Sequence, residues 1–127
     1  MLKGYAQCQI TILPVRDFKE SLAYYTNVLG FEVAWIWDED GYGAVTCGGV
    51  EIHLDRQDIV VPYRSYLFVE NADEIYAFYK EQGVRVITKI ESKPWGVREF
   101  TFEDLNGHLY RVASSEEKDD NKNGDGI

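Results

Sequence analysis

One stretch of this chain is written twice. Residues 17–33, DFKESLAYYTNVLGFEV, and residues 71–86, NADEIYAFYKEQGVRV, share a plan. Each opens on a side-chain oxygen suited to cap a helix, Asp17 or Asn71. Each has a glutamate three residues on, Glu20 or Glu74, the spacing of a capping box. An aromatic pair follows, Tyr24-Tyr25 or Phe78-Tyr79, then a glycine stop and a β-rich exit. The copies fall out of step by one residue. Two units are too few for a solenoid. The plan is that of a duplicated module whose halves bury each other, with function expected in the space between them.

A chain of 127 residues is one domain by length. It buries roughly two-thirds of the surface its unfolded form exposes, so it needs no disulfide staple. Cys8 and Cys47 lie in apolar β-like runs and are expected as buried, reduced thiols. The first 15 residues lack a signal-peptide pattern, and no run approaches the ~20 apolar residues of a membrane span. A cytoplasmic protein is expected. With 13 basic and 22 acidic residues the net charge is −9, which opposes nucleic acids and anionic membranes and favours cationic ligands.

Periodicity and turn residues give the elements. Tyr5 to Leu13 reads as a strand ended by Pro14. A helix runs from Asp17 to about Leu29, with Phe18, Leu22, Tyr25 and Leu29 on one face. Phe31 to Trp37 is a strand, and Tyr42–Cys47 and Val50–Leu54 form a hairpin around Gly48-Gly49. After a linker from Arg56 to Pro62 the order repeats: strand Arg64–Val69, helix Asn71–Gln82, and strands Val84–Ile90, Val97–Glu103 and His108–Ala113. The fold class is α+β. Two βαβββ modules, about 1–58 and 59–113, are expected to form a curved eight-stranded mixed sheet with helices on its convex side. Residues 114–127 are polar and aperiodic and read as a disordered acidic tail. Within them Asp119, Asn121, Asn123 and Gly124 match only the opening half of an EF-hand loop, so calcium binding is not expected.

The segment Leu13-Pro14-Val15-Arg16-Asp17-Phe18, with Ala23-Tyr24-Tyr25 and Leu29-Gly30-Phe31, resembles the first module of the glyoxalase/bleomycin-resistance/extradiol-dioxygenase (vicinal oxygen chelate) superfamily. Trp95-Gly96 followed by Glu103-Asp104-Leu105-Asn106-Gly107-His108 resembles the end of its second module. The similarity is strongest to the bleomycin-resistance branch and spans residues 5–113. It implies paired βαβββ modules and a homodimer, but this fold hosts many activities. Enzymes of the superfamily hold a divalent metal through His, Gln or Glu. Carried over by motif spacing, the ligand positions fall on Ile10, Arg64 and Arg111. Isoleucine has no donor atom, and guanidinium groups repel a cation. His53, with Gln9 or Glu99, falls short of a ligand set. No metal or other cofactor is expected.

The resemblance points to a ligand cleft. Ile12, Arg64, Glu99 and Thr101 stand at positions that line the substrate site of metal-dependent relatives, and Tyr66 and Phe68 share the Arg64 face. Arg64 and Glu99 either form a buried ion pair in place of the metal or, with His53 and Arg111, receive a ligand. Trp35 and Trp37 share a face by strict alternation and serve a core, a dimer interface or a ligand. Trp95, on a loop beside Gly96, is expected to stack on a ligand. There is no nucleophile elbow and no phosphate loop. The expected function is metal-independent sequestration of a drug-like or cationic aromatic molecule. The alternative is a metal-dependent lyase or isomerase of the glyoxalase type.

Overall fold

The computed structural model describes residues 2–116. It divides into two compact units, Met1–Val61 and Pro62–Ile127. The first contains β1 (Thr11–Val15), α1 (Phe18–Ala23), a wide helical turn over Tyr24–Val28, β2 (Glu32–Asp38), β3 (Tyr42–Cys47) and β4 (Val50–Arg56). The second contains β5 (Arg64–Phe68), α2 (Ala72–Gln82), β6 (Arg85–Ser92), β7 (Val97–Glu103) and β8 (Leu109–Ser115). Each module is βαβββ, and the fold is α+β. The eight strands pair as two four-stranded sheets, β1-β4-β3-β2 and β5-β8-β7-β6, with the first strand parallel to the last in each.

The repeated segment does what its residues dictate. Asp17 and Asn71 sit in extended backbone, and their carboxylate and amide oxygens accept the N–H groups of Glu20 and Glu74. Gly83 ends α2 in the left-handed region, where a Cβ would be strained. The one-residue slip between the copies also has a structural form. α2 is α-helical throughout. The first helix instead widens after Ala23, and Leu29 N–H donates to the carbonyl of Tyr24, five residues back. That wide turn absorbs one extra residue. The slip falls after Tyr25 and Tyr79, which stand eight residues from their caps in both copies and are both buried.

One face of each sheet is covered by its helix. In the first module Leu13, Val15, Val45, Ile52 and Leu54 pack with Phe18, Tyr25 and Phe31. In the second the core is aromatic: Phe102 stacks on Tyr110 at 4.9 Å and meets Tyr79 edge-on at 5.0 Å, while Phe100 meets Tyr76 at 5.1 Å. Gly43 marks a tight point. A Cβ there would stand 2.8 Å from Phe18 Cζ and 3.0 Å from the Trp35 carbonyl oxygen. Gly43→Ala is therefore expected to cost about 1–3 kcal/mol as overpacking, read as a lowered urea midpoint with an unchanged slope.

Several expectations are corrected. The first strand begins at Thr11 rather than Tyr5, and Pro14 lies inside it, paired with Asp55. An edge strand tolerates the missing N–H. The edge strand β2 breaks its alternation twice. Val33 opposes Val45 while Trp35 opposes Ala44, and Ile36 opposes Gly43 while Asp38 opposes Tyr42. Ala34 and Trp37 are the extra residues, so strict alternation does not carry from Trp35 to Trp37. In β6 the first break falls at the matching place, with Ile87 as the extra residue between Val86 and Thr88. Cys8 and Cys47 are free and exposed, not buried: one precedes β1 and the other abuts the Gly48-Gly49 turn. Ser114 and Ser115 belong to β8 rather than to a tail. Residues 117–127, including the EF-hand-like group, lie outside the described residues. Among the described residues no helix is long and apolar enough to cross a membrane.

Candidate functional site

The sheet face turned away from the helix carries most of the residues singled out from the sequence. In the first module the register lines up Ile12, His53, Ala44 and Trp35 across β1, β4, β3 and β2. Leu13 and Val15 face the core, so Ile12 faces away from it, and it is exposed. Trp35 stacks near-parallel on Tyr42 at 6.1 Å and meets the His53 ring edge-on at 4.9 Å. The Tyr42 hydroxyl lies 2.7 Å from His53 Nδ1, and His53 Nε2 lies 2.8 Å from Glu51 Oε2. Burial and the charge of Asp55 hold the Tyr42 phenol above its ordinary pKa, so it keeps its proton. In the tautomer that carries its proton on Nε2, His53 accepts the Tyr42 hydroxyl at Nδ1 and donates to Glu51. Tyr42 and Glu51 were missed by sequence reasoning, although Glu51 and His53 share a face at a spacing of two.

In the second module three rows of side chains run across the sheet: Arg64, Leu109, Glu103 and Arg85; Tyr66, Arg111, Thr101 and Thr88; and Phe68, Ala113, Glu99 and Glu91. A cavity of ≈ 380 Å³ opens here, lined by Arg64, Ser65, Tyr66, Thr101, Leu109 and Arg111. Glu99 is a charged group only 6% exposed. The Tyr66 hydroxyl donates to its Oε1 at 3.1 Å. The Tyr66 pKa is raised above the ordinary 10.0 by burial first, then by the hydrogen bond to Glu99 and its charge. Arg111 and a hydrogen bond from Trp95 oppose the shift and lose.

The sign follows directly. A raised phenol pKa stabilises the protonated fold below pH 10 and loses that contribution as pH rises through the folded value. Tyr66 is therefore expected to ionise above pH 10.0, seen as the phenolate absorbance step missing from Tyr66→Phe. A missing step at or below pH 10.0 would contradict this.

The Arg64–Glu99 ion pair, one of the two arrangements the sequence leaves open, is not among the ion pairs of the described residues. The two share a face, but Arg64 lies in the Leu109 row and Glu99 in the Ala113 row. That separates them by four residues along β8, roughly 13 Å at about 3.3 Å each. Glu99 takes Tyr66 as its partner instead. Trp95 is 64% exposed and lies near Tyr66, while Trp37 is 83% exposed and has no ring partner among the described contacts. The structure thus gathers Arg64, Tyr66, Trp95, Glu99, Thr101 and Arg111 in one module, with Phe68 in the Glu99 row across Ala113. It gathers Ile12, Trp35 and His53 in the other. His108 is structural: it is buried, and its Nδ1 accepts the Tyr63 N–H.

Residues 6–112 match the sequence model of the Glyoxalase/Bleomycin resistance protein/Dioxygenase superfamily. The chain belongs to this superfamily. It is 27% identical over 121 residues to a bleomycin resistance protein of Geobacillus stearothermophilus, a match covering 79% of this chain and 90% of the relative. TioX from Micromonospora sp. ML1 superposes with a TM-score of 0.80 at 18% identity, covering 87% of this chain and 99% of that one. The bleomycin-binding protein of the bleomycin producer Streptomyces verticillus, solved with copper(II)-bleomycin, gives 0.68 at 17% identity, covering 89% and 98%. These two likenesses establish the shared fold.

The residues present do not fit the divalent metal that enzymes of the superfamily carry. Two of the positions that the resemblance assigns to ligands are Arg64 and Arg111, which have no lone pair to give. Among the described residues no group of three or more His, Cys, Asp or Glu side chains is arranged to hold a metal ion. Both nitrogens of His53 are engaged, with Tyr42 and Glu51.

Proposed function

We propose that this member of the superfamily binds a small, flat, drug-like molecule and withholds it without chemical change. The reading also takes it to be a cytoplasmic homodimer. One observation carries the binding reading. The second module has a cavity of ≈ 380 Å³ beside the exposed rings of Tyr66, Phe68 and Trp95, and the buried carboxylate of Glu99 is already engaged by Tyr66. A cavity of that size suits a small organic ligand. Exposed aromatic side chains stack on flat rings at small entropic cost. The relatives named for bleomycin resistance and bleomycin binding support the same ligand class, and antibiotic resistance is the matching biological role.

The test is a tryptophan-fluorescence titration with bleomycin and a panel of planar drugs. At least one compound is expected to quench with a Kd of about 1 μM or tighter, and Trp95→Ala is expected to weaken it about tenfold, or about 1.4 kcal/mol. Silence across the panel would refute the reading. Stoichiometric zinc, nickel, iron or manganese surviving dialysis would replace it with the metal-dependent lyase or isomerase alternative. Sedimentation at twice the chain mass checks the dimer.

A further inference from the structure

The net charge of −9 draws cations toward the chain from a distance, but the cavity wall has the opposite sign. Six side chains line the cavity, and the two charged ones are both guanidiniums, Arg64 and Arg111. Neither takes part in an ion pair among the described residues. The carboxylates nearest to them in the sheet are otherwise engaged: Glu103 is 3.2 Å from Arg85, and Glu99 receives the Tyr66 hydroxyl. Arg64 lies opposite Leu109, and Arg111 is two residues further along the same strand. The offset is one strand spacing, about 4.8 Å, by two residues of about 3.3 Å. Two long side chains span that distance easily and can converge on one anionic group. Thr101, beside Arg111 in the ladder, adds a hydroxyl donor, and Leu109 and the Tyr66 ring add apolar surface. Charges separated by more than a Debye length of about 10 Å are largely screened, so at the cavity these two cations outweigh the acidic residues that lie beyond that distance.

We propose that the cavity of the second module is an oxyanion subsite, in which Arg64 and Arg111 together receive the carboxylate, sulfonate or phosphate of an apolar organic ligand. The inference rests on the small-molecule reading above. It turns the expected ligand charge around at this position. Guanidinium forks bind such groups by paired, charge-assisted hydrogen bonds, with geometry that an ammonium cannot copy.

The test is calorimetric titration with naphthoate, naphthamide and naphthylmethylammonium, three probes of one ring system and differing charge. The chains compared are wild type, Arg64→Gln, Arg111→Gln and Arg111→Lys. Naphthoate is expected to bind at least about tenfold more tightly than the amide, with an affinity that falls as salt rises. Each Gln variant is expected to weaken naphthoate about tenfold and leave the amide unchanged, and Arg111→Lys to recover only part of the loss. Both side chains are exposed, so the variants are expected to keep the wild-type melting temperature. Amide or ammonium binding that equals or exceeds naphthoate, or Gln variants that retain the preference, would overturn the subsite. If all three probes fail while bleomycin still quenches Trp fluorescence, the subsite falls and the receptor reading stands. If bleomycin and the drug panel are silent too, both fall.

Discussion

Phe102→Ala is expected to destabilise the fold by about 3–5 kcal/mol, a large share of the ~5–15 kcal/mol that holds a domain of this kind together. Phe102 is 1% exposed and central to the aromatic core of the second module. Its ring lies flat on Tyr110, with 6° between planes, and edge-on to Tyr79. Removing it deletes these contacts and the tilted one to Phe100, and leaves a void that Phe100, Tyr110 and Tyr79 cannot collapse to fill, because their rings are fixed by β7, β8 and α2. Equilibrium urea unfolding measures the loss. Phe102→Leu keeps most of the volume and is expected to lose less than half as much, within the ~1–2 kcal/mol typical of better-conserved packing. Equal losses from Ala and Leu would show that ring stacking, not volume, holds the module.

Asp104→Ala is expected to lose about 1–3 kcal/mol for each buried donor it orphans, and there are two. The carboxylate oxygen Oδ1 accepts from Asn106 N–H at 2.9 Å and from His108 N–H at 2.8 Å, inside a turn where all three residues are buried. The turn also fastens the mouth of the cavity. His108 Nδ1 accepts the Tyr63 N–H, and the Tyr63 carbonyl accepts the Leu109 N–H. Leu109 of the cavity lining and Tyr63, the residue before Arg64, are thus held through the turn that Asp104 braces. Loss of Asp104 is expected to speed hydrogen exchange at Asn106 and His108 and to weaken ligand binding along with stability. Asp104→Asn keeps an acceptor oxygen and is expected to restore most of both. An alanine variant as stable as the parent would mean that the turn is held by other contacts.

Local chemistry was the legible part of this sequence. Asp17 and Asn71 announce their helices because a cap needs only a short side chain and a free N–H three residues on. Gly48-Gly49 announces its hairpin for a similar reason. Features set by partner strands were not legible. The residues before Thr11 look like strand, yet the β1 ladder starts where Thr11 meets Ile52. The widened turn over Tyr24–Val28 leaves the apolar spacing of Phe18, Leu22 and Tyr25 intact, so periodicity reads it as ordinary helix. The site divided along the same line. Face-sharing predicted that Arg64, Tyr66, Glu99 and Thr101 lie together, because alternation is a local rule. It could not foresee that Glu99 takes Tyr66 rather than Arg64, since the rows depend on register between β5, β8 and β7. The Trp35–Trp37 pairing failed where a bulge suspends alternation.

Those bulges reach beyond the placement of one tryptophan. β2 and β6 each form one of the two outer edges of their sheets, where unsatisfied amides invite a stranger to add itself. With Ala34 and Trp37 in one rim and Ile87 in the other pushed out of step, an incoming chain could match only a few bonds before losing phase. The irregular register thereby guards that rim of each sheet against edge-to-edge growth into a fibre.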